Sequence, residues 1–207
     1  MREDMTVFVV DDDEAARDSL AVLLESAEYR VEAFSSGRMF LERLPASPNG
    51  CALIDIRMPE IGGLELQDAL KERAIELPIV FVTGHADVPV AVRAMRAGAI
   101  DFVEKPFTAE VILNAVERAL EHAAFLHQKT AAAASARSRL EQLTDREREV
   151  FEHLVEGHPN KVIAAKLNIS PRTVEIHRSR VMDKTGARSL SDLVRMAIAV
   201  NPDRTKG

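Results

Sequence analysis

Thr6-Val7-Phe8-Val9-Val10-Asp11-Asp12-Asp13 is the stretch on which the fold turns, because a run of β character ends in three carboxylates. Cys51-Ala52-Leu53-Ile54 repeats the pattern and ends at Asp55. Ile79-Val80-Phe81-Val82 ends at Thr83, and Asp101-Phe102-Val103 ends shortly before Lys105-Pro106. Near-continuous apolar runs of this length suit strands of a parallel sheet covered on both faces. In an open α/β sheet the carboxyl ends of the strands border one crevice, so these four signals are expected to converge.

The intervening segments carry helical spacing. Glu14–Ser26 repeats its apolar residues at Ala15, Leu20, Leu23 and Leu24, and helices are also expected over Gly37–Leu44 and Leu64–Ala74. Asp87 with Pro89 opens another that Gly98 stops, and Thr108 caps one from Ala109. Arg30–Phe34 supplies a fifth strand. The alternation predicts a doubly wound α/β domain with five parallel strands. Residues 121–139 are alanine-rich without glycine or proline, which favours helix.

The remainder is expected to be all-helical. Thr144-Asp145-Arg146-Glu147 is a capping box opening a helix that ends at Gly157. Asn160 caps Lys161–Leu167, Ser170-Pro171 opens a helix that stops at Gly186, and Ser189 to Asp192 opens a fourth. Two short helices around Asn168-Ile169-Ser170 make a helix-turn-helix pattern. The boundaries are thus 1–122 for the α/β domain, 123–139 for a helical linker and 140–207 for the helical domain.

Length supports this division: 207 residues, 46% hydrophobic and 29% charged, can bury two modest cores. No apolar run approaches the ~20 residues that span a bilayer. Met1-Arg2-Glu3-Asp4 has no signal-peptide character, and a single cysteine, Cys51, forms no internal disulfide; a reducing cytoplasm is expected. The net charge of −6 is uneven, −8 over residues 1–139 and +2 over 140–207. Arg172, Arg178, Arg180, Lys184 and Arg188 crowd Pro171–Arg188 against Glu175 and Asp183. Two domains with different partners are expected.

Taken singly, Asp11–Asp13 reads as a turn and helix cap, Asp55 as a buried capping residue and Lys105-Pro106 as a loop. Together at four strand ends they read as a site for a divalent cation and a phosphoryl group. Asp11, Asp12 and Asp55 offer hard oxygens to Mg²⁺, and Lys105 offsets the crowded negative charge. Asp55 as a nucleophile would form an aspartyl phosphate.

In the helix from Pro171, Val174, His177 and Val181 form an inward face, so His177 is read as a packed residue and not a metal ligand. Arg172, Glu175, Ile176, Ser179 and Asp183 lie opposite. Ile176 there fits a thymine methyl and Glu175 a cytosine amine, with Arg172, Arg178, Arg180, Lys184 and Lys161 on phosphates. The competing reading puts Ile176 in the core of a helical interaction domain.

Val9-Val10-Asp11-Asp12-Asp13, Asp55-Ile56-Arg57-Met58-Pro59, Thr83-Gly84-His85-Ala86-Asp87 and Lys105-Pro106-Phe107 closely resemble the receiver domain of two-component response regulators, with the Thr83–Phe107 run nearest the FixJ branch. Leu143–Val150, Asn160-Lys161, Ser170, Thr173-Val174, His177-Arg178 and Lys184–Ser189 resemble the LuxR-type helix-turn-helix. The chain is therefore similar to response regulators of the FixJ/NarL type. The resemblance implies a flavodoxin-like receiver and a small four-helix DNA-binding domain. It implies that Asp55 takes phosphate from a sensor histidine kinase. Mg²⁺ or Mn²⁺ would be held by Asp11, Asp12, Asp55 and the Arg57 carbonyl. Lys105 would contact the phosphoryl group, with Thr83 and Phe102 as switch residues. Lys161, Ser170, Arg172, Thr173, Glu175, Ile176, Arg178, Ser179, Arg180 and Lys184 would meet promoter DNA. Further implied partners are a second copy on phosphorylation and RNA polymerase, with no membrane. Thr185 replaces a larger apolar residue of that family, so looser packing is expected there.

Two other classes remain open at this stage. An aspartyl-phosphate phosphatase would carry a second acid two residues after the nucleophile, where Arg57 stands. A ligand-sensing regulator with the same DNA-binding half would want an aromatic-lined cavity, and the chain has no tryptophan and one tyrosine.

Overall fold

Strand β1 (Thr6–Val10) is buried along its whole length because it lies between two neighbours, β2 (Arg30–Phe34) and β3 (Gly50–Ile54), both parallel to it. In the computed structural model, which describes residues 5–84 and 87–201, β4 (Ile79–Thr83) and β5 (Asp101–Glu104) complete the sheet in the order β2-β1-β3-β4-β5. Met1–Asp4 and, within the Thr83–Asp87 motif, His85 and Ala86 lie outside the described residues. The strand order reverses at β1/β3, so the crevice beyond those two strand ends is the expected ligand position of a doubly wound sheet.

Helices α1 (Glu14–Ser26), α2 (Gly37–Arg43), α3 (Gly63–Glu72), α4 (Val88–Arg96) and α5 (Ala109–Glu141) follow the strands in turn. Alternate strand residues feed two cores. Phe8, Val10, Phe34, Phe40, Ile54, Leu66 and Phe81 fill one face. Val7, Val9, Leu20, Leu24, Leu53, Val80 and Ile112 fill the other. Phe40 packs edge-on to Phe8 and Phe34, with ring centroids 5.8 and 5.3 Å away. Cys51 is fully buried in β3, and burial pushes its thiol up to about 12.

The chain divides into two compact units, Met1–His127 and Gln128–Gly207. Residues 123–139, expected as a helical link, lie within α5. The second unit holds the end of α5 and helices α6 (Asp145–Val155), α7 (Asn160–Leu167), α8 (Pro171–Thr185) and α9 (Leu190–Val200). Leu140, Val150, Phe151, Ile163, Val174, Val181 and Leu193 form its core. The capping box is formed from both sides, Thr144 N donating to Glu147 Oε2 at 2.9 Å and Glu147 N to Thr144 Oγ1 at 3.4 Å. Asn160 is the first residue of α7 and Pro159 precedes it as the cap, so the expected asparagine cap is displaced by one. Proline's fixed φ suits that entry. Thr185 is completely buried and its hydroxyl donates to the Val181 carbonyl at 2.6 Å, so the smaller side chain is hydrogen-bonded in place.

Gly50 opens β3 at φ +151°, where an added Cβ would meet the Thr6 carbonyl oxygen at 1.8 Å. Gly50→Ala is expected to destabilise the first unit by at least ~2 kcal/mol, because main chain cannot yield as a side chain does. Urea titration by circular dichroism reads this, and an unchanged midpoint would refute it.

Candidate functional site

Parallel pairing aligns the ends of β1 and β3. Val10 is in register with Ile54, so the next residues, Asp11 and Asp55, leave the sheet side by side. The main chain holds both: Asp55 N donates to Val10 O at 2.9 Å and Asp11 N to Phe34 O at 3.1 Å. From beyond β5, Lys105 N donates to Thr83 O at 2.8 Å, which carries the lysine to the same edge. There Lys105 Nζ donates to Asp11 Oδ2 at 2.7 Å and to Asp55 Oδ1 at 3.3 Å. The other Asp55 oxygen, Oδ2, accepts the Arg57 main-chain N–H at 2.7 Å.

The acidic triplet divides its work. Asp13 caps α1, its Oδ1 accepting from Ala15 N and Ala16 N at 2.9 and 3.2 Å. Asp11 is buried and bound to Lys105, while Asp12 is exposed at the mouth of the crevice. Arg17 Nη1 donates to the Asp11 carbonyl at 2.9 Å and so pins the turn from β1 to α1. Its signal in the sequence, a cation one turn into a helix behind an acidic turn, is too common to have singled it out.

One lysine faces two buried carboxylates. Burial raises the Asp55 carboxyl above its ordinary value; Lys105 and the Arg57 N–H oppose this, and the Asp11 charge adds to it. Burial also works against the Lys105 charge, but the hydrogen bond to Asp11 and the two carboxylate charges outweigh it and hold the ammonium above its usual value. The crevice thus retains excess negative charge, and every donor left is an oxygen, which fits a hard divalent cation. Among the described residues the carboxylates of Asp11, Asp12 and Asp55 do not draw within 4.8 Å of one another as a threesome. A cation that keeps several of its waters suits that spread. Thr83 is wholly buried at the end of β4, and Phe102 on β5 is half-buried against the Phe81 side of the core.

In the second unit, α8 buries Val174 and Val181 and half-buries His177. Ile176 is 47% exposed, which removes the reading that places it in the core. Arg172, Glu175, Arg178, Ser179 and Arg180 are exposed on α8, as is Lys161 on α7. Ser170 caps α8, its Oγ accepting from Thr173 N at 3.1 Å and lying 2.8 Å from Thr173 Oγ1. Lys184 differs from expectation. Its ammonium donates to Glu147 Oε2 at 2.6 Å and to the Gln142 carbonyl at 3.2 Å, an internal bridge from α8 to α6 instead of a free cation. Lys184, followed by the Thr144 N–H, holds the Glu147 carboxyl down at about 2.

Residues 7–117 match the family described as response regulator receiver domain, and residues 141–197 the bacterial regulatory proteins of the luxR family. The transcriptional regulatory protein FixJ of Rhizobium meliloti (strain 1021) is 48% identical over 196 residues, covering 95% of this chain and 96% of that protein. Among solved structures, the response regulator StyR superposes with a TM-score of 0.81 at 41% identity, over 94% of this chain and 98% of that one. Full-length FixJ from B. japonicum gives 0.58 at 43% identity, over 96% and 98%.

The parallel sheet with its acidic crevice and the helix-turn-helix later in the chain define a two-module signalling protein. The chain belongs to the response regulators that join a receiver domain to a LuxR-type helix-turn-helix, and it is a phosphorylation-dependent regulator of transcription.

The raised Asp55 carboxyl has a thermodynamic consequence. Its ionisation opposes folding above the raised value and stops doing so below the ordinary value of 3.8. In metal-free buffer, Asp55→Asn is expected to stabilise the first unit at pH 7, with the gain shrinking as pH falls toward 4; destabilisation at pH 7 in a urea titration would contradict this. Glu147 has the opposite sign. Its depressed carboxyl contributes stability that is present above 4.5 and lost as pH falls toward about 2. Glu147→Gln should therefore lower the calorimetric unfolding temperature of the second unit at pH 7, and by progressively less below pH 4.5.

Proposed function

We propose that Asp55 is the phosphoacceptor, taking a phosphoryl group from the phosphohistidine of a sensor kinase. A carboxylate oxygen of Asp55 forms the new O–P bond, the P–N bond of the donor breaks, and the imidazole leaves as its neutral form after gaining a proton. The observation that carries this reading is the Lys105 ammonium held between Asp11 and Asp55 at the strand-switch point. It is placed to move from carboxylate oxygens to phosphoryl oxygens as charge arrives. The Arg57 N–H fixes the carboxylate plane, and burial of Asp55 excludes water from one side of it.

A divalent metal, Mg²⁺ or Mn²⁺, would be held by Asp11, Asp12, Asp55 and the Arg57 carbonyl. It would supply charge stabilisation to the equatorial oxygens of an in-line transfer. Thr83 and Phe102, on adjacent strands, are the residues we assign to relaying occupancy of the crevice to the α4–β5 face, where a second copy would pair. Slow self-dephosphorylation by water would reset the chain.

The partner of the second unit is double-stranded promoter DNA in the cytoplasm, with RNA polymerase recruited there to activate transcription. Supporting this are the exposed Ile176 and Glu175 on α8, suited to base edges in the major groove. Arg172, Arg178, Ser179, Arg180, Lys161 and the α8 start at Ser170-Thr173 are assigned to the backbone and its register. Lys184 is left out of this set because Glu147 holds it.

Acetyl phosphate with Mg²⁺ is expected to add one phosphoryl group to the wild type and none to Asp55→Asn, with dimerisation seen by light scattering in the wild type alone. An adduct of equal yield in the variant would remove Asp55 from the role. Separately, Arg172→Ala should weaken binding to all DNA sequences alike, and Ile176→Ala should weaken it mainly at the preferred operator, by roughly tenfold, about 1.4 kcal/mol. Electrophoretic mobility shifts read both, and uniform loss in Ile176→Ala would move that residue off the bases.

A further inference from the structure

The end of α6 gathers a set of ligand atoms that neither the phosphoryl crevice nor the DNA face uses. Helix α6 closes in a Schellman turn: Gly157, at φ +81°, donates its N–H to the Leu154 carbonyl at 3.0 Å, and His158 N donates to the His153 carbonyl at 3.1 Å. Such a turn brings the residue after the glycine over the third residue from the helix end, a contact that is commonly apolar. Here both positions are histidine. The His153 and His158 rings lie 5.3 Å apart, at 79° to each other. Glu156, the cap residue, stands between them. Its Oε2 is 3.1 Å from His153 Nδ1 and 3.2 Å from His158 Nδ1.

We propose that His153, Glu156 and His158 form a binding site for a divalent transition metal ion of the Zn²⁺ class. One ring nitrogen from each histidine and a carboxylate oxygen come within 4.8 Å of one another, and among the described residues this is the one such group of three. Tetrahedral zinc with ligands at ~2.0–2.1 Å sets neighbouring ligand atoms roughly 3.3 Å apart, so the nitrogen–oxygen separations need little adjustment. Two imidazoles and one carboxylate suit zinc over Mg²⁺ or Ca²⁺, and three protein ligands leave a fourth position for water.

The donors are prepared for this. His158 Nδ1 is itself buried yet lacks a hydrogen bond of good geometry, so a metal would satisfy an atom the fold leaves unmatched. Lys166 Nζ sits 3.1 Å from His158 Nε2 and is exposed. On coordination through Nδ1 the ring keeps its proton at Nε2, and the lysine swings into solvent. The site joins the last turn of α6 to the residue before Pro159, which caps α7, so occupancy would fix the entry to the helix-turn-helix.

The test uses the full chain in excess Mg²⁺, which occupies the hard-oxygen crevice. Zn²⁺ is titrated against a chromophoric chelator, and Co²⁺ in parallel for its visible absorption. One equivalent of Zn²⁺ is expected at micromolar Kd or tighter, with an intense Co²⁺ spectrum of low coordination number. His158→Ala and Glu156→Gln should each weaken Zn²⁺ binding at least tenfold. Glu156 is half-exposed, so Glu156→Gln decides the matter should His158→Ala unfold by circular dichroism. No Zn²⁺ uptake by the wild type, or equal uptake by Glu156→Gln, would overturn the proposal.

Discussion

Strand register is the constraint on which the rest of the first unit depends. Val10 faces both Phe34 and Ile54 across parallel ladders, and Ile54 in turn faces Phe81. A slip of one residue would turn each of these side chains to the opposite face, mixing the two cores. It would also carry Asp55 away from Asp11 and break the bridge through Lys105. The division of successive side chains between the two cores, which fixes register for packing, therefore fixes the charge geometry too. No separate device is needed to assemble residues that lie 94 positions apart in the chain.

This coupling explains how much was legible. The strands were readable because Val, Ile and Phe runs without alternation have few other homes. Their polar ends were readable because sheets of this class put ligands at that edge. The division of labour within Asp11–Asp13 was not, since three identical side chains in a row differ only in direction. Burial of Asp11, exposure of Asp12 and capping by Asp13 come from the turn that Arg17 pins, a contact set by tertiary geometry.

The second unit illustrates the same limit from the other side. Its caps were visible at Thr144, Ser170 and Ser189 because capping is local chemistry. Lys184 looked like one more cation in a basic run. Only the packing of α8 on α6 reveals that the capping-box glutamate has a second task, holding that ammonium 2.6 Å away. Likewise His153 and His158 are unremarkable five residues apart until Gly157 folds one over the other. Charge counts along a sequence cannot distinguish a cation offered to a partner from one consumed at home.

One buried atom has a bearing on signal fidelity. The thiol of Cys51 lies in the same strand that ends at Asp55, wholly enclosed and held protonated with its value pushed up to about 12. Oxidants and electrophiles attack thiolates that solvent can reach. The chain's lone sulfhydryl therefore gives peroxide or nitrosating agents no handle on the acidic crevice. Thiol chemistry at Cys51 and occupancy of the crevice at the end of the same strand are thereby kept apart.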